Sequence, residues 1–244
     1  MRFSLTVLSF LFGFTASAAF AAKDVGEGYA WPTFKDLSVT VLMQGGVDIN
    51  NPKVADDYAQ LAYCNLYQKN FKNDVEWNKI RAQISARVQE KKEYFRVLYE
   101  TSSAFKLGRY NMETQSFPLT PKTAMVNVGS IMLTELEDYT RYCGIMKPSS
   151  FFPPAINLLL NQPLTVKEVK IPMDRVEKML ARMDETGNTD RKVYGRIRFR
   201  IIGAPGPVIS NDQAVRSDVL GEIMSIDFFL DSELTKPVGK AQWK

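Results

Sequence analysis

The sequence predicts an α+β protein, with an N-terminal helical hairpin followed by a largely antiparallel sheet and one inserted helix. Three observations carry this expectation. Apolar residues recur at helical spacing over about residues 33–93 and mostly at two-residue spacing over about 94–244. The helices come as a block ahead of the strands, an order that favours segregated helices and sheet over alternating βαβ units. Turn-forming pairs such as Pro153-Pro154 and Gln162-Pro163 separate the strand-like runs.

Ahead of these elements, MRFSLTVLSFLFGFTASAAFAA places Arg2 before a short apolar run that ends in small residues at Ala-x-Ala spacing. This is the pattern of a secretory signal peptide. Residues 1–21 are expected to be removed after Ala21, leaving 22–244 as a single α+β domain. The run is too short for a bilayer core of about 30 Å, and no later stretch reaches the roughly 18 apolar residues of a span. The mature chain is therefore expected to lack a transmembrane segment and to be periplasmic or secreted.

In the first element, FKDLSVTVLMQGG, alternating Leu37, Val39, Val41 and Met43 suit a strand, while Phe34, Leu37, Val41 and the Gly45-Gly46 stop favour a short helix. Asn51 and Pro52 form an N-cap and first-turn pair for a second helix carrying Val54, Tyr58, Leu61 and Asn65 on one side, with Ala55, Ala62 and Leu66 beside them. Asn73 with Glu76 resembles a capping box and opens a third helix, running to about Lys92, with Trp77, Ile80, Ile84 and Val88 as its stripe. From Tyr94 the chain is expected to break into short extended pieces, with interruptions at Ser102-Ser103, Gly108 and Asn111. AMVNVGSIML, INLLL, LTVKEVKI, KVYGRIRFRII and LGEIMSIDFFL read as further strands, with GAPGPVISNDQ as a loop. PMDRVEKMLARM is the inserted helix, its core stripe predicted as Met173, Val176, Leu180 and Met183.

YCNLYQKNFKNDVEWNKI (63–80) and LGRYNMETQSFPL (107–119) carry Tyr-Cys-x-x-Tyr, Asn-Asp-x-x-Trp, Leu-Gly-x-Tyr and Phe-x-Leu patterns. In these the chain resembles an uncharacterised exported bacterial family, a domain of unknown function, and the likeness extends to TKPVG near the C-terminus. The resemblance implies a bacterial exported protein and brings no activity or site residues with it.

The chemistry is bounded by what the composition lacks. There is no histidine, which removes Ser-His-Asp and Cys-His catalysis and the commonest zinc and copper ligand. Cys64 and Cys143 are the only cysteines. They stand either as a disulfide, as an oxidising compartment favours, or as two buried thiols. No metal site and no cofactor are expected. The formal charge of +4, lowered by one when Arg2 leaves with the leader, is too slight for nucleic acid.

Four local patterns bear on chemistry. Ser103-Ala-Phe-Lys106 has the spacing of serine acyl-enzymes without their helical context or companion motifs. DETGNTD (184–190) gathers oxygen ligands but reads as a polar turn. Glu135 with Glu137 and Asp56 with Asp57 are carboxylate pairs of the kind glycoside hydrolysis uses. Tyr63, Tyr67, Phe71 and Trp77 crowd the helical hairpin at core spacing.

The strongest binding pattern is GRIRFRIIGA. On a strand, Lys192, Tyr194, Arg196, Arg198 and Arg200 share one face, while Val193, Ile197, Phe199 and Ile201 share the other. Buried without partners, such cations cost several kcal/mol each, so the face must be wet or paired. In MSIDFFLDSE, Met224, Ile226, Phe228 and Leu230 are expected to be apolar-facing, and Asp227 and Asp231 to answer two of the arginines. The resulting expectation is a non-enzymatic interaction or accessory protein of unknown biochemical activity, with an envelope protein or an acidic ligand as partner. Two alternatives stand beside it: a carboxylate-dependent hydrolase of cell-wall or other glycans, and an anion-binding module using the arginine face.

Overall fold

A computed structural model describes residues 28–90, 96–133, 143, 151–153, 155–210 and 213–241. The expected leader and the Glu135–Glu137 pair lie outside these residues. Helix α1 spans Phe34–Met43, α2 Pro52–Ala62, α3 Cys64–Asn70 and α4 Asp74–Glu90. The sheet follows as β1 (Leu98–Lys106), β2 (Ser116–Pro118), β3 (Met125–Met132), β4 (Ile156–Val166) and β5 (Glu168–Lys170). After α5 (Met173–Glu185) come β6 (Lys192–Ser210), β7 (Gln213–Phe229) and β8 (Pro237–Lys240). The chain is thus α+β with a mostly antiparallel sheet.

The helix starts are set by local chemistry. Thr33 caps α1 by accepting the Asp36 amide at 3.1 Å, and the helix stops ahead of Gly45, whose φ of +79° suits glycine. The Asn51 side chain accepts the Lys53 amide at 3.0 Å, with Pro52 at the first turn as expected. The Asn73 side chain accepts the Glu76 amide at 3.2 Å. One helix was expected across 52–66, but the backbone breaks at Tyr63 (φ −135°, ψ 46°), and α3 turns away from α2. No helix among the described residues is long and apolar enough to cross a membrane.

Neighbouring strands follow the path β1-β6-β7-β8-β5-β2. An antiparallel bridge between Leu107 and Leu119 joins the two ends of that path, so these strands close around their own core. β4 lies parallel to β7 over Ile156–Leu160 and antiparallel to β3. One core gathers α1, α2 and α4 against Tyr99, Leu158, Phe199, Ile201 and Val219. The other holds Phe105, Phe117, Val166, Ile197 and Phe228, covered by Val176, Met179 and Met183 of α5. Strands β4, β6 and β7 contribute to both. Cys64 and Cys143 form a disulfide, with Cα atoms 5.2 Å apart.

Several expected boundaries are corrected. β1 runs unbroken through Ser102 and Ser103, which pair in register with Arg196 and Gly195. β4 runs through Gln162-Pro163, because its pairing with β7 ends at Leu160 and its pairing with β3 resumes at Leu164. A proline between those points has no ladder bond to lose. The expected GAPGPVISNDQ loop is largely strand: β6 continues to Ser210, and register shifts around Gly203 and Gly206 accommodate Pro205. Met224 is exposed rather than apolar-facing, because a bulge at that point reverses the alternation. In α5 the buried stripe is Val176, Met179 and Met183, while Met173 precedes the turn that packs and remains exposed.

Candidate functional site

The polar face of β6 begins at a clamped turn. Gly187 ends α5 with φ +68°, and Asn188 holds the strand start by accepting the Lys192 amide at 2.9 Å while donating to the Lys192 carbonyl at 2.7 Å. From there Lys192, Tyr194, Arg196, Arg198 and Arg200 occupy alternate positions, opposite buried Val193, Gly195, Ile197, Phe199 and Ile201. The alternation therefore places all five predicted residues along one face.

The arginines are answered from within the molecule. Glu100 of β1, opposite Arg198 in the ladder, is fully buried. Its Oε2 accepts the Arg198 Nε–H at 2.9 Å, while its Oε1 stands 3.8 Å from Arg196 Nε, within ion-pair range but beyond a hydrogen bond. Arg196 also stacks on Phe229, 4.5 Å from the ring centroid, and donates to the Leu234 carbonyl at 3.0 Å. Arg198 lies 5.0 Å from the Tyr29 ring centre, and Arg200 pairs with Glu222 across the ladder. Side-chain exposure falls from 49% at Arg200 to 24% at Arg198 and 17% at Arg196, so the stripe deepens into a partly buried ion cluster.

The anticipated aspartates take other roles. Asp227 does oppose Arg196 in the ladder, but its carboxylate pairs with Lys240 at 3.5 Å. Asp231 lies past the end of β7 and caps the turn into β8, accepting the Thr235 amide and hydroxyl and the Lys236 amide at 2.8 Å. Desolvation alone would raise the Asp231 carboxyl, but these hydrogen bonds together outweigh it and hold the group below the usual carboxylate range.

Lys192 and Tyr194 have a different setting. With the end of α5 and the β7–β8 turn they line a cleft of about 680 Å³. Arg182, Lys192 and Lys236 face it with Glu185, Asp231 and Glu233, over apolar Met183 and Leu230. Formal charge there balances, but the carboxylates are unequally committed, Glu185 having no hydrogen bond from the described residues. Asp231 is engaged by its own turn, and one Glu233 oxygen accepts Ser232 at 2.9 Å. The Lys192 ammonium rests 5.0 Å from the Tyr194 ring centre and makes no direct ion pair among the described residues, although Asp190, paired with Lys106, lies within its electrostatic reach.

The remaining motifs are engaged elsewhere. Ser103 and Lys106 lie three apart on a strand and so on opposite faces, with the Lys106 ammonium 2.7 Å from Asp190. Asp56 accepts Trp77 Nε1–H and Arg81 Nε–H, both at 2.8 Å, and so ties α2 to α4. Tyr67 stacks on Phe71 at 4.4 Å and meets Trp77 edge-on at 5.2 Å; Trp77 is buried and Phe71 exposed. Among the described residues no group of three or more acidic or cysteine side chains is arranged to hold a metal. Glu100 was missed by sequence reasoning, although its place in the apolar run VLYETS marks a charge on a buried strand. The Leu234 carbonyl left no signal in the sequence.

A family model described as Domain of unknown function (DUF4852) matches residues 51–182, more than half of the chain, and the chain belongs to that family. The match takes in α2 to β5 and most of α5, including both cysteines and Glu100, but ends before β6. No curated protein and no solved structure matches the chain.

Proposed function

We propose that this DUF4852 chain is a non-enzymatic interaction or accessory protein, exported to the periplasm or beyond, that holds an acidic ligand or an acidic segment of an envelope partner. Its binding face is the cleft at the start of β6. The observation that carries this reading is that one of the cleft's three carboxylates is spent on its own turn, which leaves Arg182, Lys192 and Lys236 facing only Glu185 and Glu233. Arg182, Lys192 and Lys236 line the cleft, while the neighbouring Asp231 carboxylate is engaged by Thr235 and Lys236 of its own turn. A carboxylate or similar acidic group entering the cleft meets free N–H donors, with Tyr194 and Leu230 available to its apolar part.

The disulfide supports export, since such bonds persist in oxidising compartments. The two cores share β4, β6 and β7, which supports one cooperative domain over 22–244. The arginine stripe contributes mainly through its internal partners, Glu100 and Glu222.

The test is titration of the purified exported chain with poly-L-glutamate, followed by calorimetry. Expected are binding that weakens with added salt and its loss in the Lys192→Ser, Lys236→Ser double variant. Equal binding of neutral dextran, or binding unchanged in the double variant, would refute the reading.

A further inference from the structure

The β7–β8 turn, residues 231–236, forms one wall of the cleft through Asp231, Ser232, Glu233 and Lys236. Internally it is closed by the Asp231 carboxylate and by the Leu230 amide, which donates to the Lys236 carbonyl at 2.9 Å. Its link to the sheet's polar face is the hydrogen bond from Arg196 Nη2 to the Leu234 carbonyl at 3.0 Å. Leu234 sits at φ +58°, a backbone state that most residues avoid and that needs support from its surroundings.

Arg196 is itself held from three directions. Its guanidinium lies against Phe229, the Glu100 carboxylate stands 3.8 Å from its Nε, and its Nη2 donates to the Leu234 carbonyl. Glu100 Oε1 and Arg196 Nε are both buried without a hydrogen-bond partner. That arrangement forgoes the best hydrogen bond between the two groups, while the Arg196 fork reaches Leu234.

We propose that Arg196 is a positioning residue that fixes the β7–β8 turn and thereby the wall of the cleft, with Glu100 as its counter-ion. This rests on the cleft being the binding face. The fork of an arginine can serve Glu100, the Phe229 ring and the Leu234 carbonyl together, whereas the point charge of lysine cannot.

The test is backbone ¹⁵N relaxation of the full exported chain in three variants. Arg196→Met keeps an apolar stem against Phe229 and removes the donor. Arg196→Lys keeps a cation beside Glu100 and provides a second route if the methionine variant does not fold. Glu100→Gln removes the counter-ion charge and leaves the bond to Leu234. In both Arg196 variants the order parameters of residues 231–236 are expected to fall from about 0.85 to below about 0.6, while β6 and β7 stay rigid. Glu100→Gln should lower global stability without loosening the turn to that extent. A turn that stays rigid in both Arg196 variants, or that loosens equally in Glu100→Gln, overturns the proposal. A loosened turn with undiminished poly-L-glutamate binding upholds the positioning role and refutes the cleft as the binding face.

Discussion

Replacing both Cys64 and Cys143 by Ala tests how much of the fold's stability comes from restraint of the unfolded chain. The bond joins positions 79 apart in sequence. For a closed loop of that length the chain-entropy relation gives about 4.5 kcal/mol at 25 °C. That is a large part of the roughly 5–15 kcal/mol by which domains are stable. The assay is urea unfolding of the oxidised chain and the double variant, followed by circular dichroism. With an m value near the upper end of the usual range, about 3 kcal/mol/M, the midpoint should fall by about 1.5 M. The m value itself should rise, because a denatured chain freed of the cross-link exposes more surface. A midpoint within about 0.3 M of the parent, with m unchanged, would refute the claim that the bond acts by restraining the unfolded chain.

Three further outcomes follow from the same structure. Glu100→Gln should destabilise by about 3–5 kcal/mol, because it leaves two partly buried guanidinium groups without their shared carboxylate; denaturant titration decides, and a loss below about 1 kcal/mol would contradict the burial argument. Gly195→Ala places a methyl 2.5 Å from Phe105 Cε2 in the second core and should cost about 1–3 kcal/mol in thermal or urea unfolding, whereas an unchanged midpoint would show that the ring moves aside freely. Burial raises the phenols of Tyr58 and Tyr99 well above their ordinary value, desolvation being the largest cause for both. An acid whose folded pKa is raised keeps its stabilising contribution below the unfolded pKa and loses it as pH rises, so stability should be intact below about pH 10 and fall above it. Circular dichroism against pH checks this, and a flat profile from pH 9 to 12 would count against it.

The helix starts were legible because their causes are local. Asn51 and Asn73 accept amides within three residues, Pro52 presets the φ of the first turn, and the stripe of α4 is a periodicity within one element. Strand ends were less legible because they depend on partners. Pro163 ends no strand, since neither β3 nor β7 pairs with that stretch, and nothing near Gln162 in sequence reveals it. Simple alternation puts Met224 on the wrong face because one bulge shifts every alternation across it, and a bulge is decided by the register against β6.

The arginine stripe shows the same division at the scale of the site. Alternation placed five side chains on one face, but whether each charge is structural or free depends on residues distant in sequence. Glu100 reaches Arg196 and Arg198 from β1, and Leu234 receives Arg196 from beyond β7. Replacing Arg196, Arg198 and Arg200 together by Ser therefore does not probe binding by itself. It leaves the Glu100 carboxylate fully buried without a cation, which costs about 3–5 kcal/mol, so a partner lost by that variant would report a weakened fold as readily as a lost contact. Lys192 and Lys236 open on the cleft and make no direct ion pair among the described residues. Their removal leaves Glu100 and its two arginines intact, and a loss of acidic ligand can then be assigned to the cleft itself.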